Sequence, residues 1–141
     1  MAPVPADVAP ADRLRGLRVL VVDDLPDVAE VLADMLEAAG AVAVAISDPE
    51  EAAQVLSEAP EVWSALVTDL HMAAMDGRAL ARHARTLSPP VPAVLVTARP
   101  ETLGEVPVPE FAAVLPKPVT AAQLARAVRT AADGKRAGAA D

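Results

Sequence analysis

Five side chains of this 141-residue sequence stand where short apolar runs stop. Asp23 and Asp24 follow Val19-Leu20-Val21-Val22, Asp69 follows Trp63 to Thr68, Thr97 closes Val91 to Thr97, and Lys117 comes just after Phe111 to Leu115. Three carboxylates held together repel, and each raises the pKa of the others unless a cation lies among them. An all-oxygen set, with no thiolate and no suitably placed histidine pair, favours a hard ion, Mg²⁺ or Mn²⁺. One hydroxyl and one ammonium on the far side suit a phosphoryl group, with Lys117 as a point charge and Thr97 as a hydrogen-bond donor. Aspartate can act as a nucleophile in phosphoryl transfer. A metal ion and a lysine would offset the charge on the equatorial oxygens of the transition state. The residue types point to an aspartyl-phosphate site.

Those five positions converge only if the apolar runs are neighbouring parallel strands. Val19 to Val22 is a compact β-branched run, as expected of a strand buried on both faces. Residues 28–39 place Val28, Val31, Leu32, Met35 and Leu36 on one helical face, and Gly40 stops that helix. Residues 41–46 form a weaker second strand. Asp48-Pro49-Glu50-Glu51 opens a second helix, with Asp48 as N-cap, proline at the first helical position and Glu51 closing a capping box. Val55 and Leu56 of that helix face the core. Residues 77–87 form a third helix, with Leu80, Ala84 and Leu87 inward. Thr120-Ala121-Ala122-Gln123 is another capping box, ahead of Leu124, Val128 and Ala131. Strands alternating with helices imply right-handed βαβ units. The expected fold is α/β: a doubly wound, flavodoxin-like, five-stranded parallel sheet of order 2-1-3-4-5.

Composition narrows the function. A net charge of -8 disfavours the phosphate backbone of nucleic acid as a direct partner, and 1% aromatic residues disfavour base stacking. With no cysteine, disulfide scaffolds, thiolate metal sites and cysteine catalysis are excluded. No apolar run has the length of a membrane span, and Met1 to Pro10 lack the pattern of a signal peptide. A soluble, cytoplasmic protein is expected. Residues 1–16, rich in Pro and Ala, read as a flexible leader or linker, residues 17–132 as one domain, and residues 133–141 as a flexible tail.

Four segments, taken together and in order, resemble the receiver domain of two-component response regulators. They are Val21-Val22-Asp23-Asp24, Val67-Thr68-Asp69-Leu70-His71-Met72-Ala73-Ala74-Met75-Asp76-Gly77, Leu95-Val96-Thr97-Ala98 and Leu115-Pro116-Lys117-Pro118. The resemblance implies that Asp69 accepts a phosphoryl group from the phosphohistidine of a histidine kinase or histidine phosphotransfer protein. It implies that Asp24, Asp69 and the main-chain carbonyl of His71 bind Mg²⁺ directly, and that Asp23 acts mostly through water. Thr97 and Lys117 would contact the phosphoryl oxygens, and the Lys117–Pro118 peptide is often cis in the family. The leader Leu14-Arg15-Gly16-Leu17-Arg18 resembles the join in hybrid histidine kinases. The implied activity is that of a signalling phospho-acceptor that catalyses only its own phosphorylation and dephosphorylation.

Three positions depart from that pattern. Ala73 replaces a usual proline, which loosens the loop after Asp69 and removes no chemical group. Val114 stands where an aromatic ring usually couples the site to the surface. Arg99 to Glu110, where a fourth helix belongs, contains Pro100, Pro107 and Pro109, so that helix should be short, irregular or absent. His71 and Arg99 are expected to flank the path of attacking water. Arg78, Arg82 and Arg85 read as a solvated helix face that an acidic partner could use, His83 as a surface residue, and Trp63 as a packing anchor. The missing aromatic keeps open a degenerate receiver used as a binding or dimerisation scaffold. An aspartyl phosphatase would carry a second aspartate where His71 stands.

Overall fold

The computed structural model describes residues 13–103 and 109–140. Five strands, β1 (Arg18–Val22), β2 (Val42–Ile46), β3 (Ala65–Thr68), β4 (Ala93–Thr97) and β5 (Ala113–Pro116), form one parallel sheet of order β2-β1-β3-β4-β5. Among the described residues there are four α-helices, α1 (Pro26–Ala38), α2 (Pro49–Glu58), α3 (Gly77–Arg85) and α4 (Ala121–Ala140). This is the flavodoxin-like arrangement expected from the alternation of runs and amphipathic segments.

The two faces of the sheet bury alternate residues of each strand. Val19, Val21, Val67, Val94 and Val96 pack with α1 and α4. Leu20, Val22, Leu66 and Leu95 pack with α2 and α3. All residues of β3 and β4 are buried, which is why these strands read as unbroken apolar runs. Each large aliphatic side chain so buried contributes roughly 1.5–3 kcal/mol.

Local signals act as expected at most helix ends. Asp48 caps α2 by accepting the Glu50 N–H (3.0 Å), although Glu51 does not close the expected box. Thr120 and Gln123 form a reciprocal box at α4, with Thr120 N–H to Gln123 Oε1 at 2.9 Å and Gln123 N–H to Thr120 Oγ1 at 3.0 Å. Gly40 ends α1 at φ +104°, a left-handed conformation that glycine adopts at no steric cost.

Several expectations shift. Helix α1 begins at Pro26 and turns Ala29, Leu32, Ala33 and Leu36 inward, while Val31 is 52% exposed. Strand β3 begins at Ala65, because Pro60–Val62 forms a 3₁₀ turn just before Trp63. Strands β4 and β5 start two residues later than the apolar runs suggest. Residues 13–16, which composition assigns to the leader, join the fold: Leu14 is fully buried and its N–H donates to Ala39 O at 2.7 Å. Residues 133–140, which composition assigns to a tail, continue α4. There Lys135 Nζ donates to Pro60 O (2.9 Å) and Trp63 O (2.5 Å), and burial lowers its pKa. Residues 1–12 and 141 lie outside the described residues. Pro100–Leu103 is a single 3₁₀ turn, in keeping with a short fourth helix; Pro107 also lies outside the described residues.

Candidate functional site

Register brings the site together. Val22 pairs with Thr68, so the residues that follow them, Asp23 and Asp69, leave adjacent strands side by side. The chain order reverses between β1 and β3, the switch point where open α/β sheets form crevices beyond their strand ends. Thr97 ends β4, and its carbonyl accepts the Lys117 N–H at 2.8 Å, which fixes where the lysine leaves β5. The Lys117–Pro118 peptide is cis.

One oxygen from each of Asp23, Asp24 and Asp69 lies within 4.8 Å of the others. Asp23 is fully buried, whereas Asp24 and Asp69 are partly open. The Lys117 ammonium lies 3.0 Å from Asp23 Oδ2 and 3.7 Å from Asp69 Oδ1. Three acids and one base leave the cluster short of positive charge. The donors are oxygens that suit a hard divalent cation, so the residues present fit Mg²⁺. Burial pushes the Asp69 carboxyl above its ordinary pKa. Lys117 opposes that shift, Asp23 adds to it, the Leu70 N–H opposes it, and Asp24 adds again.

Asp69 is held from several sides. Its N–H donates to Val22 O (3.0 Å), and its Oδ1 accepts the Leu70 N–H (2.8 Å). The buried Thr68 hydroxyl, which had no expected role, donates to the Asp69 carbonyl at 2.8 Å. Thr97 is fully buried, and its Oγ1 accepts the Arg99 N–H at 3.1 Å, which leaves the hydroxyl proton for another acceptor. His71 is exposed on the loop after Asp69. Asp76 caps α3 through the Ala79 N–H (2.8 Å), and the Gly77 N–H donates to Leu70 O (2.8 Å).

The residues read as solvated surface are engaged. His83 is half-buried, with Nε2 2.7 Å from Ser57 Oγ and 3.2 Å from Ala53 O, joining α3 to α2. Arg78 and Arg82 bind Glu110, an acid within the chain itself. Trp63 is buried as expected, beneath the Arg18 guanidinium at 5.9 Å.

Residues 19–129 match the family described as "Response regulator receiver domain". The chain belongs to that family. Among curated relatives, this receiver is similar to sensor protein TorS of Escherichia coli, at 33% identity over 120 residues, which cover 84% of this chain but 13% of TorS. The chain therefore spans only a small part of the length of that relative. Among solved structures, a response regulator receiver domain protein of Clostridium thermocellum aligns with a TM-score of 0.78 at 22% identity, covering 86% of this chain and 98% of that one, which bears on the fold alone. The receiver domain of the hybrid histidine kinase CckA aligns with a TM-score of 0.68 at 27% identity, covering 82% of this chain and 98% of that one. Among the described residues, no helix is long and apolar enough to cross a membrane.

Proposed function

We propose that this receiver takes a phosphoryl group from a phosphohistidine onto Asp69 in a Mg²⁺-dependent reaction. The observation that carries the reading is the placement of three carboxylates and one ammonium at a single switch point, with Asp69 shared between the acid cluster and Lys117. Asp23, Asp24, Asp69 and the His71 carbonyl would hold the ion. Bound there, Mg²⁺ would neutralise the acids and the phosphoryl oxygens.

The chain's own residues account for the rest. The Leu70 N–H and Lys117 engage Oδ1 of Asp69, leaving Oδ2 to attack phosphorus. The new O–P bond forms as the N–P bond of the phosphohistidine breaks, and the leaving imidazole takes a proton from solvent. Lys117 then turns from Asp23 toward a phosphoryl oxygen, and the Thr97 proton meets another. The donor would be a histidine kinase or a histidine phosphotransfer protein, in keeping with a phosphorelay inside the cytoplasm. An apolar groove lined by Val28, Val31, Leu32, Met35, Pro118 and Val119 opens beside Lys117 and offers that donor a contact face.

Incubation with phosphoramidate and Mg²⁺, followed by intact mass measurement, tests the reading. A gain of one phosphoryl group, absent in Asp69→Asn and abolished by chelation, is expected. A folded protein that gains no mass would favour a scaffold instead.

A further inference from the structure

Three arginines of α3, spaced to share one helical face, converge on two residues just before β5. Arg78 Nη2 lies 3.1 Å from Glu110 Oε2 and 3.4 Å from Oε1. Arg82 reaches the same Oε2 through Nε at 2.9 Å and Nη2 at 2.8 Å. Arg85 Nη1 donates to Pro109 O at 2.8 Å. Glu110 sits near the rim, yet the guanidinium groups cover it and leave it 7% exposed. Its own N–H is the main force holding its carboxyl below the ordinary range; burial opposes this, and Arg78 and Arg82 reinforce it.

Both elements joined by this clasp touch the acceptor residue. Helix α3 starts at Gly77, packed against the Asp69 main chain too tightly for a Cβ. Strand β5 leads from Glu110 to Lys117, whose ammonium faces Asp69 and Asp23. A closed circuit thus runs from Asp69 through Gly77, Arg78, Glu110 and β5 to Lys117 and back to Asp69. A phosphoryl group adds about -1.5 to -2 charges at neutral pH. At Asp69 it would draw Lys117 and displace the loop under Gly77, loading the clasp from both ends. Val114, partly buried in the middle of β5, has no ring to swing.

We infer that the Arg78–Arg82–Glu110 clasp is the link through which the phosphoryl state of Asp69 reaches residues 109–113. This rests on the proposed phospho-acceptor function. Its members are positioning residues that touch no reacting atom.

The test is amide chemical-shift mapping of the full chain with Mg²⁺ and beryllofluoride, a phosphoryl mimic. Wild type should shift at residues 23, 24, 69–71 and 97–99, which face the site, and also at 109–113. In Glu110→Gln the site group should respond as in wild type, and residues 109–113 should lose at least half of their shift. Arg82→Gln, at an exposed position, should give a smaller loss of the same kind and serves if the first variant unfolds. Glu110→Asp, which keeps the charge, should restore most of the response. Unchanged distal shifts in both Gln variants would overturn the clasp. Absence of any shift at 23, 24 and 69–71 in folded wild type would instead overturn the phospho-acceptor reading, and the clasp with it.

Discussion

Gly77 leaves no room for a side chain against Asp69: a Cβ there would overlap the Asp69 carbonyl oxygen and lie 3.0 Å from its carbonyl carbon and 3.1 Å from the Leu70 Cα. The obstacle is backbone, which cannot swing aside as a flexible side chain does. Gly77→Ala should therefore move the start of α3 off the loop that carries Asp69, the proposed acceptor. Overpacking of this kind costs about 1–3 kcal/mol, and misplacing a reacting group by about 1 Å can slow a reaction on the order of 100-fold. Thermal melts and phosphoramidate kinetics should show both losses. Gly134→Ala, in open helix with no neighbouring atom within 4 Å of where a methyl group would stand, should leave phosphorylation unchanged and slightly stabilise α4.

In the proposed reaction Lys117 would compete with a metal ion for the acids and would assist a phosphoryl group once it arrives. Lys117→Met should thus move two readouts in opposite directions. Mg²⁺ affinity should rise about tenfold, equivalent to ~1.4 kcal/mol, as the 3.0 Å contact to Asp23 is lost. The rate of phosphorylation should fall about 100-fold or more. Mg²⁺ titration followed by phosphoramidate kinetics checks both; a variant that lost metal affinity and rate together would contradict this division of roles.

The raised pKa of Asp69 fixes the sign of a pH effect. The folded state keeps the Asp69 proton to higher pH than the unfolded chain does. Its contribution to stability is therefore full below the ordinary aspartate pKa and is lost as pH rises through the folded value. Without divalent cations, Asp69→Asn should melt higher than wild type at pH 7, and the gap should close toward pH 4. Mg²⁺ at about 100 times its Kd should stabilise wild type by ~2.7 kcal/mol, and this gain should largely vanish in the variant.

Trp63 lies at the opposite end of β3 from Asp69, roughly 20 Å away at strand rise. Mg²⁺ binding and phosphorylation should leave its emission maximum unchanged. A clear shift on Mg²⁺ addition would place the responsive element at the wrong end of the sheet.

The buried strands were legible because β1, β3 and β4 lie under helices on both faces, so that each appears as a short run ending in a polar residue. Asp23, Asp69 and Thr97 stand out for the same reason. Signals with wide tolerance were less clear. A stripe at i, i+3, i+4 could be centred on either side of Val31, and only packing chose Ala29, Leu32, Ala33 and Leu36. Residues 133–141 read as a flexible tail, yet an exposed glycine such as Gly134 costs a helix only about 1 kcal/mol. Leu14 looked like linker, because the sheet that buries it comes later in the chain. The Glu110 clasp had no local signal at all, since its partners lie 28 and 32 residues away. Arginines on one helix face read alike whether they meet water or a distant acid.

The most direct measurement is to phosphorylate the full chain with phosphoramidate and Mg²⁺, reduce it with borohydride and map its peptides. Reduction converts an aspartyl phosphate to homoserine and so marks the acceptor covalently. Homoserine is expected at position 69 alone, and none when Mg²⁺ is chelated. Homoserine at Asp23 or Asp24, or no modification of a folded, Mg²⁺-saturated protein, would contradict the proposed function.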